Sequence, residues 1–498
     1  MEIQFNLFTT AVVILLFCLQ WWLLRRAPAA KQPPGPTGLP IVGNLLQLGK
    51  KPHQTMANWA KHYGPLMTLR FGLVTTIVAS SAELAKEILH THDKTFSDRP
   101  VPDVIAAQPY PEGTLAWVPG NQKWRNRRRV CTTQLFTNKT LDTMQHLRHK
   151  KVGDLLGHVR KLCASGEPVD IGQVTFATSL NLMSNTILSV DVIDADFESA
   201  QEFKDLVWRI MEDGGKPNVS DYFPVLKWFD LQGIRHHIKP SYKRLHEIFD
   251  EIISQRLKSR ALGLGAGDFL EVLLDQCEKD ESDFNSLTIK PLILDLFIAG
   301  SDSSSLTTEW AMAELLRNPD TMKKLQNELI QKIGSNRSVE ESDIDHLPYL
   351  QAVVKETMRL HPAAPLLLPY KAGNDVEIGS FTIYKDNQVV VNAWSIGRDE
   401  LYWDNPLVFK PERFLDSNID FKVQDFQYIP FGAGRRICPG LPLGFRMVHL
   451  MLASLVHEFN WKIAGGIEPE NLDMEEQFGI TLKKAIPLTA IPMMKKME

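Results

Sequence analysis

Cysteine is scarce in this chain: five residues in 498, at positions 18, 131, 163, 277 and 438, with no CxxC pair among them. An odd, scattered set excludes a disulfide framework and a cysteine zinc site, and suits a reducing compartment. A basic excess is missing as well. Lysine and arginine number 55 against 59 acidic residues, a formal net charge of −4, which argues against a nucleic-acid binder. There is no internal repeat, no low-complexity tract and none of the regular strand–helix alternation of a doubly wound sheet.

Charge is also missing from the first part of the chain. LFTTAVVILLFCLQWWLL, Leu7 to Leu24, carries none and is followed at once by Arg25 and Arg26. That length crosses a bilayer as a helix. Trp21 and Trp22 sit at interfacial depth, and the basic residues on the C-terminal side put the rest of the chain in the cytosol. A cleaved signal peptide would carry its charge before the apolar stretch and small residues after it; a buried core helix is the other competitor. The reading is a retained anchor over residues 1–26, a stiff hinge over 27–40 built on the prolines of KQPPGPTGLP, and one body over 41–498. This topology predicts that the sequons at Asn138, Asn218 and Asn336 carry no glycan.

Within the body, MTLRFG and TTIVAS alternate as a small antiparallel pair over Met67–Ser80, and a second strand cluster falls at Val376–Gly397. Between about 82 and 370 the periodicity is helical, as in EFKDLVWRIMEDGG and SYKRLHEIFDEIISQRLKSR. GLGAGD, Gly263–Asp268, breaks two helices. The longest helix is predicted over Leu292–Asp320, apolar nearly all round at its start and so buried. The fold class is mainly α with small β-sheets.

One cysteine stands in unusual company. In FGAGRRICPG, Cys438 lies between glycines, two residues after Arg436, and just before the helical pattern LPLGFRMVHLMLASLVHEF. Glycines let backbone N–H groups approach a sulfur, and a helix N-terminus favours a negative one. Two further features are less specific alone. Glu356 and Arg359 in KETMR are an i,i+3 pair of a kind that is usually a solvated salt bridge. AGSDSSS places Gly300 inside the longest helix, at a cost of about 1 kcal/mol relative to alanine, with Asp302 beside it; its serines have the simpler option of bonding back to carbonyls one turn earlier.

Taken in order, Phe431, Gly434, Arg436, Cys438 and Gly440 resemble the haem-thiolate loop of the cytochrome P450 monooxygenases. The resemblance runs from the PPGP hinge to FGITLKKAIPL. It implies the fold of that family, haem b held by the Cys438 sulfur, and electrons from NADPH delivered by a flavin-containing reductase. It further implies single-pass anchoring in the endoplasmic reticulum membrane. Glu356 and Arg359 match the Glu-x-x-Arg motif, completed by Arg413 in PERF, with a structural role near the Cys438 loop. Asp302 and Ser303 match the acid–alcohol pair of the oxygen groove, with serine where the pattern has threonine; the hydroxyl is kept and the β-branching is lost, so hydroxylation stays the expected outcome, with more wasted reducing equivalents or altered chemistry. Arg99, Trp124, Arg128 and Arg436 match propionate-binding positions, whereas Tyr370 stands where the family commonly has arginine or histidine. The run Lys123, Arg125, Arg127 and Arg129 suggests a basic face toward the reductase, although such runs are usually just solvated.

By the same resemblance, substrate-contact regions fall at Val101–Pro119, around Phe297 and Ala299, at Ala364–Leu368 (Ala364, Leu366 and Leu368 in particular) and at Phe478–Leu482 with Ile480. These stretches are mostly apolar, Asp103 and Glu112 excepted, and suit a small apolar substrate. EFKDLVWRIMEDGGKPN, AWSIGRDE and NLDMEEQFGITL are most similar to plant microsomal terpenoid hydroxylases of the geraniol 8-hydroxylase and ferruginol synthase group. Betalain-pathway tyrosine hydroxylases share much of that wording, so a phenolic substrate stays open. Two further alternatives are a reductase-independent haem isomerase and a membrane-tethered carrier.

Overall fold

The computed structural model describes residues 31–193, 200–265, 267–279, 284–285, 287–335, 337–415, 417–421 and 425–495. The expected span Leu7–Leu24 and the sequon at Asn336 lie outside them. Among the described residues no helix is long and apolar enough to cross a membrane.

Helices dominate, and among the described residues the strands form four small sheets. The longest helix runs Ile289–Arg317 and is buried along most of its length. It starts three residues before the expected point and also stops three residues early. The reason is Pro319: the residue before a proline is pushed out of helical geometry, and Asn318 adopts φ −119°, ψ 78° while Pro319 opens the next helix. A second correction concerns Pro240. The helix expected from Ser241 in fact spans Ile234–Ala261 and carries that proline inside it, near enough to the start that its missing N–H removes only an early ladder bond.

Gly300 is explained by packing. A Cβ there would sit 2.7 Å from the Met183 sulfur, on the helix Ile171–Leu188 that lies against the longest one. The glycine lets the two axes approach, and the longest helix remains unbroken through it.

Leu66–Phe71 and Val74–Ala79 pair antiparallel as expected, and the second of them pairs in parallel with Gln388–Val391, next to Tyr370–Lys371. Alternation sends Leu66, Ile77 and Ala79 into one apolar cluster and Met67, Leu69, Phe71 and Val78 into another. The proline-rich segment is not free: the Thr68 N–H donates to Pro34 O at 2.8 Å, and the Thr382 N–H donates to Lys31 O at 2.8 Å. Residues 31–34 are therefore tied to two sheets, the four-stranded one through Thr68 and the Val376–Ile378/Phe381–Ile383 pair through Thr382.

Candidate active site

The segment between the Pro348–Leu360 helix and the Leu441–Glu458 helix carries Cys438, and three layers hold it in place. Deepest is Glu356, fully buried and bound on both sides. Arg359 donates to its two oxygens at 2.7 and 2.8 Å, Arg413 at 2.9 Å, and the Lys410 backbone N–H at 2.8 Å. The guanidinium groups reach on to carbonyls of Gly397, Pro406 and Asp404. An unpaired carboxylate in this position would be costly, and here each charge has partners that also tie down the backbone. The next layer is aromatic: Phe414, which follows Arg413, lies 5.2 Å from Tyr428, and Phe421 lies 5.1 Å from Phe431. The Phe431 carbonyl then accepts the Cys438 N–H at 3.0 Å.

Around the sulfur itself, the Gly440 and Leu441 N–H groups point at Cys438, at the N-terminus of the Leu441–Glu458 helix, and Arg128 lies nearby. Burial pushes the thiol up from its ordinary range, and these three groups act against that rise. Cys438 has accessible surface, but that surface faces an internal cavity of about 320 Å³. Gly434 at φ +67° is required, since a Cβ there would fall 1.7 Å from the Leu89 carbonyl oxygen.

Arg99, Trp124, Arg128, Tyr370, Phe431 and Arg436 all line the same cavity. Arg436 lies 4.1 Å over the Trp124 ring and donates to carbonyls of Ser97 and Val118 at 2.9 and 2.6 Å. Arg128 donates to Ile437 O at 2.5 Å, on the loop of the cysteine. Arg99 stacks 4.1 Å over Tyr370 and donates to the carbonyls of Leu368 and Pro369. The departure at Tyr370 is thus answered locally: its ring seats the Arg99 cation at that corner. Burial lowers the affinity of Arg99, Arg128 and Arg436 for their protons, Arg436 to about 9. Among the described residues none of the three forms a salt bridge, and the buried Arg99 Nε has no partner. Three desolvated cations without a counter-anion, beside an apolar cavity with a sulfur in its wall, fit haem b with its two carboxylates.

On the longest helix, Asp302 is buried and accepts a hydrogen bond from the Thr481 hydroxyl at 2.7 Å. Burial raises its pKa to about 6 against the opposing pull of Thr481 and the lysines 483 and 204. Ser303 lines the cavity, but its hydroxyl donates back to Ala299 O at 2.7 Å, the simpler of the two options its sequence allows. The alcohol in contact with the acid is therefore Thr481. Nothing in the run FGITL marked it, since only the fold brings residues 179 apart together.

Of the expected substrate contacts, Ala299, Ala364, Leu368 and Ile480 line the cavity. Leu366 does not. Leu367 adopts φ +50°, which turns the chain so that Leu367 faces the cavity while Leu366 packs beside Met67 and Phe71. Phe297 packs on Phe249 and Phe478 stacks on His53. Cavity residues that the sequence did not flag include Ile210, Met211 and Tyr242. Met211 is held there because its carbonyl accepts the Ile480 N–H at 2.8 Å. The basic run also needs correction: Lys123, Arg125 and Arg129 are exposed, but Arg127 is buried and donates to Glu112 O.

The whole-chain comparisons agree with this geometry. The family model described as Cytochrome P450 matches residues 33–488. Geraniol 8-hydroxylase of Catharanthus roseus is 48% identical over 490 residues, 97% of this chain and 99% of that protein. Geraniol 8-hydroxylase of Swertia mussotii is 48% identical over 92% of this chain and 93% of its own length. Drimenol monooxygenase of Persicaria hydropiper is 46% identical over 94% and 93%. With a family match over most of the chain, the thiol and the buried cation cluster gathered around one cavity, and the Glu–Arg–Arg lock formed, the chain belongs to the cytochrome P450 family and is a monooxygenase.

Proposed function

We propose that the chain is a membrane-anchored hydroxylase of a small, largely apolar terpenoid, supplied with electrons from NADPH by a flavin reductase. The observation that carries the substrate class is the state of the charges in the cavity wall. Arg99, Arg128 and Arg436 suit the haem carboxylates; Asp295 is engaged by the Leu115 and Ala116 N–H groups at 2.7 and 3.0 Å, and Asp302 by Thr481. A free amino acid such as tyrosine would bring an ammonium and a carboxylate into a mostly apolar cavity whose charged side chains already have hydrogen-bond partners within the protein, at a cost of several kcal/mol. A hydrocarbon skeleton meets apolar side chains instead. The names of the relatives, geraniol 8-hydroxylase and drimenol monooxygenase among them, support the same class.

When bound, haem supplies the activation of dioxygen, with the thiolate donating electron density to iron. Cys438 presents its sulfur among backbone N–H groups, and Arg99, Arg128 and Arg436 would hold the haem carboxylates. Leu368, Ile480 and Met211 exclude water and orient the substrate. Burial raises the Asp302 carboxyl to about 6, where it can take up and release a proton, and the Thr481 hydroxyl holds that carboxyl in place.

Membrane attachment rests on the uncharged run Leu7–Leu24. A second feature supports it: Val225, Trp228, Phe229 and Leu231 are strongly exposed together on one segment, an apolar patch of the kind that marks a membrane or partner surface. The exposed Lys123, Arg125 and Arg129 would steer an acidic reductase.

The test is optical titration of the purified ferric protein with geraniol, an abietane diterpene, an iridoid alcohol and tyrosine. A saturable spin-state shift with a terpenoid and none with tyrosine is the expected result. A shift with tyrosine alone would reject the substrate class and leave the family standing.

A further inference from the structure

Most polar groups of the cavity wall are already used. Ser303, Thr307, Thr481, Asp295 and Asp302 all have partners within the protein. Apart from Arg99 in the cation cluster, two cavity-lining side chains keep a buried polar atom with no partner among the described residues: the Tyr242 hydroxyl and the Gln108 Oε1. Both side chains are almost wholly buried, at 2% and 5% exposure. Buried polar groups are nearly always paired, so two orphans on one ligand cavity point to a ligand group that pairs with them.

Their placement adds direction. Tyr242 comes from the helix Ile234–Ala261 and feels the charge of Asp295. Gln108 follows the short helix Asp103–Ala106, which the first helix holds through the bond from Arg235 to Asp103. Asp295 precedes Asp302 by seven residues on the longest helix, two turns or about 10 Å along the axis. Tyr242 therefore belongs to the end of the cavity that lies toward Asp295, and Gln108 comes from the segment that Arg235 ties to the helix of Tyr242.

We infer that Tyr242 and Gln108 form an anchoring subsite for a neutral hydroxyl group, so that the substrate is an alcohol held by its oxygen at one end with its hydrocarbon end presented toward Asp302 and Cys438. A hydroxyl both donates and accepts: it can donate to the Gln108 oxygen and accept from Tyr242. An ionised group gains no counter-charge from this pair, since neither side chain is charged. This deepens the terpenoid reading and rests on it.

The test uses the full-length haem-loaded protein and two probes with one skeleton, geraniol and 2,6-dimethyl-2,6-octadiene, which lacks the hydroxyl. Dissociation constants are read from optical titration for the wild type, Tyr242→Phe and Gln108→Leu. The quantity of interest is the geraniol preference of the wild type divided by that of each variant, which cancels the different hydrophobicities of the probes. The expected ratio is about fivefold for at least one variant, the contribution of a neutral hydrogen bond, with the hydrocarbon binding unchanged or tighter. Ratios within twofold for both variants, with geraniol still binding saturably, would overturn the subsite and leave the terpenoid reading intact. Failure of both probes to bind the wild type would overturn the two together. Tyr242→Phe removes only an unpaired oxygen, and Gln108→Leu provides an independent arm should the first variant not load haem.

Discussion

The Thr481 hydroxyl donates to the Asp302 carboxylate at 2.7 Å. This bond joins the tip of the hairpin Glu476–Lys484 to the middle of the longest helix, and among the described residues it puts the acid–alcohol contact of the expected relay position on a residue from outside the helix. Ser303, one residue along from Asp302, spends its hydroxyl on the Ala299 carbonyl.

Replacing Thr481 by valine removes the donor from a buried carboxyl. The carboxyl should move further above about 6, and the protein should lose about 1–3 kcal/mol, the penalty of an unsatisfied buried acceptor. Product formed per NADPH consumed should fall more in Thr481→Val than in Ser303→Ala. Equal coupling in the two variants would return the relay role to Ser303.

Asp302 also predicts a pH dependence. Its pKa is 3.8 ordinarily and about 6 in the folded chain, so between those values the folded state binds more protons than the unfolded state. Stability from this group is therefore present at low pH and declines as pH rises from about 4 to about 6, by about 2–3 kcal/mol. Denaturant unfolding of the wild type and Asp302→Asn over that range should show the wild type losing ground against the variant as pH rises. A flat difference would mean that the carboxyl is not desolvated.

Glu356→Gln leaves the guanidiniums of Arg359 and Arg413 buried without a counter-charge. The expected loss is about 3–5 kcal/mol, with poor haem retention because the aromatic layer between Arg413 and Phe431 loosens. Thermal unfolding and the haem-to-protein ratio measure it. A variant as stable as wild type would show that the lock is dispensable.

Removal of residues 1–26 should release most of the protein from membranes on carbonate washing. Any residual binding should then fall on replacing Trp228 and Phe229 by serine. If the truncated and full-length proteins fractionate alike, Leu7–Leu24 is not the anchor.

Much of this was legible from local pattern. Cys438 between glycines before a helix stands out by itself and the strand pair at 66–79 follows from alternation, whereas the roles of Glu356, Arg359 and Arg413 were legible only through the resemblance to the family's motifs. What stayed hidden was set by backbone turns or by contacts far along the chain. A positive φ at Leu367 exchanges the facing of Leu366 and Leu367. Thr481 meets Asp302 only across the fold, and Arg127 sits on the inner face of a helix on which Lys123, Arg125 and Arg129 are exposed. Gly300 read as a weakness of the helix, whereas it is the seat of Met183.

The central claim is that Cys438 is the thiolate ligand of haem in this chain. The most direct measurement is the absorption spectrum of the reduced, carbon monoxide-bound full-length protein, wild type against Cys438→Ser. The wild type should show the strongly red-shifted Soret band of thiolate ligation, and the variant should lose it. Persistence of that band in Cys438→Ser, or its absence from a haem-loaded wild type, would contradict the assignment.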